Sequence, residues 1–315
     1  MKRHNCKISS HICKRRLQMK KYQNPIIKCQ RDNHTGDPHV TRYKDYYYHC
    51  YYINDGVYLA RAKKLWELED AERVKVHSIP DDMGYTEWYA PELHHIDGAW
   101  YIYASPLVDG DDFHTMCVLE RKDEDPFGKF ESLGKMKGLE DEWSIDGTVL
   151  EHEGERWFIW TKCTEMFMAK MTSPTSVEKP FISVMKPEFE FETKDNLVNE
   201  GPAIITHNGK LHLVFSANDS KRDEYCLGVM TYNGGGISDM KNWTKHPYAF
   251  FEKTEDIFGP GHCSFTTVTE NGREVDYVVY HANLESGSGW TGRSVWIKPI
   301  DWDENDMPVF GKPER

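Results

Sequence analysis

Asp37, Asp146 and Glu200 are the residues of this chain whose type and spacing best suit proton transfer. Each stands in a short segment that sets an acidic residue or a histidine beside Gly or Pro and then returns to apolar residues. The segments are G-D-P-H-V around Asp37, Y-A-P-E-L around Glu92, S-I-D-G-T-V around Asp146, N-E-G-P-A-I around Glu200 and G-P-G-H-C-S-F around His262. The five polar residues follow one another at steps of 55, 54, 54 and 62. A near-constant period of that size suggests a propeller or a solenoid. In a propeller, equivalent positions of all blades converge on one axis, so repeated carboxylates would face one another in a single pocket. Such a cluster suits hydrolysis of a glycosidic bond. That reaction needs a proton donor on the leaving oxygen and a carboxylate that activates water or attacks. Clustered carboxylates also raise one another's proton affinity, so one can stay protonated near neutral pH while another is ionised. Asp-Pro and Asp-Gly are ordinary turn pairs when taken singly. The fivefold spacing separates these from turns, which need no constant period.

The flanking residues have two readings each. Glu92 reads as a structural acid, hydrogen-bonded to backbone groups of a neighbouring blade. His262 shares the register of the carboxylates, which points to an axial position as ligand of a central cation or water cluster; calcium prefers oxygen ligands, so one histidine does not define such a site. Trp88, Tyr89 and Trp143 shortly precede repeat segments, either as platforms for the C–H faces of sugars or as packing between blades. Arg293, in G-R-S-V-W-I, either clamps sugar hydroxyls with its fork of donors or pairs with an acid.

The elements that must hold these residues are strands. Short aromatic and β-branched runs occur at 43–52, 99–104, 157–160, 211–215 and 277–280. Turn signals punctuate them at Asn54-Asp55-Gly56, Asp97-Gly98, Glu153-Gly154, Asn208-Gly209 and Asn271-Gly272. The recurring unit is segment, strand, hairpin, strand. Helical signal is thin, a turn or two within 61–71. Stretches 80–87, 107–113 and 218–224 read as insertions around a pocket rim. The expectation is an all-β single domain over 22–315, built as a propeller or a solenoid.

Bulk properties narrow the partners. The chain has 315 residues and a net charge of −12. Residues 1–18 carry six basic residues and no acid, so the remainder carries −18. A body that acidic repels phosphate backbones, which argues against nucleic acid and suits a neutral sugar. No apolar run is long enough to span a bilayer, and no membrane partner is expected. Residues 1–21 read as a basic, disordered arm, with Met19 a sensible initiator. The arm lacks the apolar core of a signal peptide. The eight cysteines form no C-x-x-C pair and read as free thiols of a reducing compartment. Together these favour a cytoplasmic location.

At this point the segments match a known pattern. The chain resembles glycoside hydrolase family 43, five-bladed β-propellers acting on arabinose- and xylose-containing polymers. The resemblance rests on N-P-I-I at 24–27, G-D-P-H-V at 36–40, W-Y-A-P-E-L-H-H-I-D-G-A-W-Y-I-Y at 88–103, W-S-I-D-G-T-V-L at 143–150, V-N-E-G-P-A-I at 198–204, G-P-G-H-C-S-F at 259–265 and Y-H-A at 280–282. It implies that Asp37 is the general base, Glu200 the general acid and Asp146 the carboxylate that orients the acid and tunes its pKa. It implies inversion at the anomeric carbon, a calcium or other cation held through water by His262, and contact of Arg293 with the sugar. Trp88-Tyr89 departs from the family's usual Ile-Trp, and Cys263 stands where Asn or Ser is commoner. The activity implied is that of an exo-acting α-L-arabinofuranosidase on arabinose- or xylose-containing oligosaccharides. The alternatives are a β-xylosidase, an endo-arabinanase or a galactofuranosidase, and, from another class, a non-catalytic sugar-binding propeller.

Overall fold

The computed structural model describes residues 22–29, 35–108 and 112–315. Five antiparallel sheets follow one another along the chain, each formed by consecutive strands. The first holds β1 (His39–Tyr43), β2 (Tyr46–Ile53), β3 (Gly56–Ala62) and β4 (Glu72–Ser78); the second holds β5 (Tyr85–Ile96), β6 (Ala99–Val108), β7 (Cys117–Arg121) and β8 (Glu131–Lys135). The third holds β9 (Ile145–His152), β10 (Glu155–Lys162), β11 (Glu165–Ser173) and β12 (Ser176–Met185); the fourth holds β13 (Asn199–His207), β14 (Lys210–Ala217), β15 (Cys226–Tyr232) and β16 (Trp243–Lys245). The fifth has β17 (Phe258–Glu270), β18 (Arg273–Asn283) and β19 (Ser294–Pro299). A small pair, β20 (Asp301–Trp302) and β21 (Pro308–Val309), follows it. The first strands of the sheets touch in a closed circuit, β1 to β5 to β9 to β13 to β17 and back to β1. This is a five-bladed β-propeller, all-β and one domain.

Each blade is apolar on both faces because it packs between two neighbours. The core accordingly falls into five clusters, one at each blade-to-blade interface. The aromatic runs seen in the sequence are the second strands, β2, β6, β10, β14 and β18. They carry fully buried Trp100, Trp160 and Tyr280 into those interfaces. Truncating one such tryptophan to Ala would cost about 3–5 kcal/mol.

Four of the five turn signals join first to second strands. Asp97-Gly98, Glu153-Gly154, Asn208-Gly209 and Asn271-Gly272 all have positive φ at both residues, the backbone of a type I′ hairpin, which glycine adopts without steric cost. Asn54-Asp55-Gly56 instead joins β2 to β3, and its counterpart after β1 is Lys44-Asp45, with Lys44 at φ 52°.

The N-P-I-I segment closes the ring. Ile27 bridges Val295 on the outer strand of the fifth blade, and the Asn24 amide is paired with Ile297 through two hydrogen bonds of 2.8 and 3.0 Å. The first-blade and last-blade ends of the chain are thereby tied together. The helical expectation reduces to one 3-10 turn, Leu65–Glu67. The rim stretches are shorter than expected, since β5 begins at Tyr85 and β6 runs to Val108. The basic arm, 1–21, lies outside the described residues.

Candidate active site

A residue with positive φ sits in or just before the first half of each inner strand: Asp37, Ala90, Asp146, Gly201 and His262, with Gly259 as a second in the fifth blade. Side chains on a strand alternate between faces, so a left-handed residue or a bulge is needed to re-aim one along the strand. Register shifts accompany several of these positions, among them those between Tyr89 and Glu92, between Glu200 and Ala203 and between Phe258 and Ser264. Non-glycine residues at positive φ carry strain, which concentrates at functional sites. The repeat is therefore a backbone device that aims side chains at the axis.

Asp37, Asp146, Glu200, His262 and Arg293 come together there. Asp37 Oδ1 accepts from Arg293 Nη1 at 3.0 Å and lies 3.2 Å from His262 Nδ1. His281 stands behind it: the Asp37 backbone N–H donates to His281 Nδ1 at 3.1 Å. Burial alone would raise the Asp37 carboxyl, but the Arg293 guanidinium, His262 and His281 outweigh it and hold it well below the usual carboxylate range. Gly36 makes room for the arginine, since a Cβ there would lie 2.1 Å from the guanidinium carbon.

Glu200 and Asp146 sit in the opposite environment. Burial, then the Asp37 charge, pushes Glu200 up to about 7, against the hydrogen bond it accepts from the Tyr225 hydroxyl at 2.8 Å and against Arg293. Burial, then the charges of Glu200 and Asp37, raises Asp146 well above its ordinary value. Asp146 Oδ2 accepts the Gly201 N–H at 3.2 Å, which fixes the backbone beside Glu200. Two such carboxyls titrate as a pair and hold a proton far above the range of an isolated carboxylate.

Glu92 takes a different place from the one its spacing suggests. The position equivalent to Asp37 and Asp146 in the second blade is Ala90, and Glu92 lies two residues beyond it. Its partners are side chains rather than backbone: His94 Nε2 at 2.8 Å and His39 Nε2 at 3.8 Å. Burial would raise it, yet the two histidines hold it below its ordinary value. His39, Glu92 and His94 form a buried cluster capable of coordinating a metal ion, with donor atoms all within 4.8 Å of one another.

The aromatic candidates divide. Trp88 is a correction: it has no exposed surface and packs in the core between the first and second blades, against Tyr85 and His77. Neighbours on a strand point to opposite faces, so Trp88 and Tyr89 could not both line a pocket. Tyr89 is half-buried and belongs to an aromatic wall. Tyr52 meets Tyr89 at 5.4 Å, Tyr89 meets His114 at 5.2 Å, and His114 meets Trp143 at 5.2 Å, all edge-on. The wall begins near Asp37, whose charge reaches the Tyr52 phenol, and ends at Trp143, whose indole N–H donates to the Asp112 carbonyl at 3.1 Å. Across the site, the 218–224 stretch is tied to the fifth blade: Asp223 accepts from the Gly287 N–H, and Trp290 donates to Ser220 Oγ at 2.9 Å.

Sequence reasoning missed Tyr225, His281, His39, His94 and His114. His39, His94 and His281 lay in segments that drew notice, G-D-P-H-V, P-E-L-H-H and Y-H-A, and none had a local cue to its role.

Known proteins share this arrangement of chain. The sequence profile of glycosyl hydrolases family 43 matches residues 22–308. The extracellular exo-alpha-(1->5)-L-arabinofuranosidase of Streptomyces chartreusis is 35% identical over 278 residues, covering 83% of this chain and 82% of that protein. The protein of the same name from Streptomyces avermitilis is 32% identical over 314 residues, covering 93% of this chain but 63% of its own length. This chain thus spans less than two thirds of that longer relative. Among solved structures, an alpha-L-arabinofuranosidase from Lactobacillus brevis superposes with a TM-score of 0.85 at 28% identity, covering 95% of this chain and 98% of that one.

Proposed function

The chain belongs to glycosyl hydrolases family 43, and from that premise we propose that it is an inverting, exo-acting α-L-arabinofuranosidase trimming arabinofuranosyl units from arabinan or arabinoxylan fragments. It is a glycoside hydrolase for substrates of the arabinofuranosyl and xylan type. The names of the two Streptomyces relatives and of the Lactobacillus brevis enzyme support the narrower choice of sugar.

The observation that carries the mechanism is the opposite treatment of two carboxylates in one pocket. Asp37, ionised and still partly exposed, takes a proton from water as the water oxygen attacks the anomeric carbon. Glu200, protonated, gives its proton to the leaving oxygen as the glycosidic C–O bond breaks. Attack from the face opposite the leaving group inverts the anomeric centre. The proton gained by Asp37 and the one lost by Glu200 are then exchanged with solvent. Arg293 keeps Asp37 ionised, and its low proton affinity makes it a weak base whose work is done late, when the water is already bonding to carbon. Asp146, more deeply buried, orients the acid through the Gly201 amide. Tyr89 and Trp143 supply apolar surface for sugar rings.

Calcium does not fit the donors that converge. His262 Nδ1 faces Asp37, which is already held by Arg293, and the convergent cluster offers two imidazoles and one carboxylate. That set suits a transition ion rather than a hard cation. Even there, His39 Nδ1 accepts the Leu93 N–H at 3.1 Å, so Nε2 carries the ring proton that an ion would have to displace. No step of the reaction is assigned to a metal.

The test is hydrolysis of 4-nitrophenyl α-L-arabinofuranoside beside the β-D-xylopyranoside, with a Glu200→Ala control and proton NMR of the first anomer released. Preference for the arabinofuranoside with inverted product is expected. Preference for the xyloside would make the protein a β-xylosidase on the same machinery; a retained product would remove Asp37 from the role of base.

A further inference from the structure

Tyr225 immediately precedes β15, far in sequence from any repeated segment, and has no exposed surface. Its ring is held on two sides. It lies parallel to the His281 imidazole, with centroids 5.5 Å apart and planes 6° from parallel. It also covers Gly261, where a Cβ would stand 2.3 Å from the ring. His281 is itself fixed by the Asp37 N–H on its Nδ1, and burial pushes it down to about 4, so it stays neutral and able to accept.

The direction of the Tyr225 hydroxyl follows from its neighbours. The Tyr225 hydroxyl lies 2.8 Å from Glu200 Oε1 and donates to it. An ionised carboxylate offers only acceptors, so the phenol O–H points to Oε1. Ser216 beside it is held by the His262 backbone N–H, which donates to its Oγ at 2.8 Å.

A carboxylic acid carries its proton on one of two oxygens. A proton on Oε1 would confront the incoming Tyr225 O–H; a proton on Oε2 leaves that bond intact. We propose that Tyr225 is a positioning residue that confines the transferable proton to Glu200 Oε2 and so sets the geometry of acid catalysis. The inference rests on Glu200 being the acid, as in the function proposed above. Tyr225 does not touch the reacting atoms; it acts through Glu200. The other charged groups facing Glu200 are Asp37, Arg293 and Asp219, together with Asp146. None of these fixes which oxygen is protonated, because none donates to it at hydrogen-bond distance among the described residues.

The experiment is Tyr225→Phe, assayed across pH on an α-1,5-linked arabinose disaccharide and on 4-nitrophenyl α-L-arabinofuranoside, with melting temperature followed in parallel. The disaccharide needs protonation of its leaving oxygen and should lose about 10- to 100-fold in kcat/KM. The nitrophenyl glycoside needs it little and should lose only a few-fold. A hydrogen bond to the ionised carboxylate lowers its pKa, so removing it should move the alkaline limb of kcat/KM up by about one pH unit. Equal loss on both substrates with an unmoved limb would make Tyr225 a packing residue and overturn the proposal, as would no loss on either. Glu200→Ala separates the two levels. If that variant spares the nitrophenyl substrate, the acid assignment stands and a failure at Tyr225 is the inference's alone. If it loses both substrates equally, the acid assignment fails and the inference falls with it.

Discussion

Asp37 and Glu200 enter the same pocket from equivalent ends of two inner strands, yet their surroundings differ in sign. Asp37 faces a guanidinium and two imidazoles, all from the fifth blade. Glu200 faces a phenol and is buried within reach of two other carboxylates. Both lose water, which alone would raise both. The Arg293 guanidinium, with the two imidazoles beside it, reverses the effect at Asp37, and nothing reverses it at Glu200. The repeat puts a carboxyl at the axis, and residues that do not repeat decide whether it holds a proton. Fivefold architecture thus yields a polarised site.

The most severe way to break this contrast is to delete its ionised half. Asp37→Ala should lower kcat/KM by about 10³- to 10⁴-fold on natural linkages and on nitrophenyl glycosides alike, since both need the water activated. A variant that kept the activated substrate would show that Asp37 is not the base. Arg293→Met is the next largest. It removes the charge that holds Asp37 down and leaves the burial that pushes it up. Asp37 should then titrate in or above the usual carboxylate range, and an acidic limb should rise into the measurable part of the kcat/KM profile. Activity at neutral pH should fall by about 10- to 100-fold. An unshifted acidic limb would mean that Asp37 does not owe its ionisation to Arg293.

The three candidate carboxyls were legible in the sequence because each sits beside Gly or Pro at a constant period, and that period is a property of the blade. The register within the motif was not. Ala90 takes the left-handed conformation that Asp37 and Asp146 take, and an alanine gives no sign of it, so Glu92 looked equivalent when it was two residues displaced. Trp88 looked like a platform because it adjoins Tyr89, and strand alternation sends it into the core. Arg293 had two readings, and the one seen is the pairing with an acid. Tyr225 had no local signal at all, and the Y-H-A segment gave no role for His281. Their roles arise from packing between the fourth and fifth blades, and a contact between positions 225 and 281 leaves no mark on either segment.

A smaller effect should appear in stability. Glu200 is raised from its ordinary 4.5 to about 7 in the folded chain. Between those values the folded state binds more protons than the unfolded one, so stability falls as pH rises through that window. Glu200→Gln removes the group that must ionise. It should melt roughly 2–5 °C above the parent at pH 8, with little or no advantage at pH 4.5. A variant destabilised at pH 8 would mean that the Tyr225 hydrogen bond, and not burial, dominates the energetics of the folded carboxyl.

The smallest effect expected is that of calcium chelation. The contrast between the two halves is built from side chains alone: Arg293 supplies the positive charge at Asp37 that a cation would otherwise supply. A divalent ion beside His262 would compete with that guanidinium for the same Oδ1, and the one convergent donor set elsewhere among the described residues is nitrogen-rich. Treatment with EGTA should therefore leave kcat/KM and melting temperature unchanged within error. A loss of either, restored by calcium and not by magnesium or zinc, would require an oxygen-rich site at the axis. It would also mean that Asp37 is held ionised by a cation together with Arg293. In that case Arg293→Met should cost much less in the presence of calcium than in its absence, and the two treatments applied together would tell which positive charge governs the base.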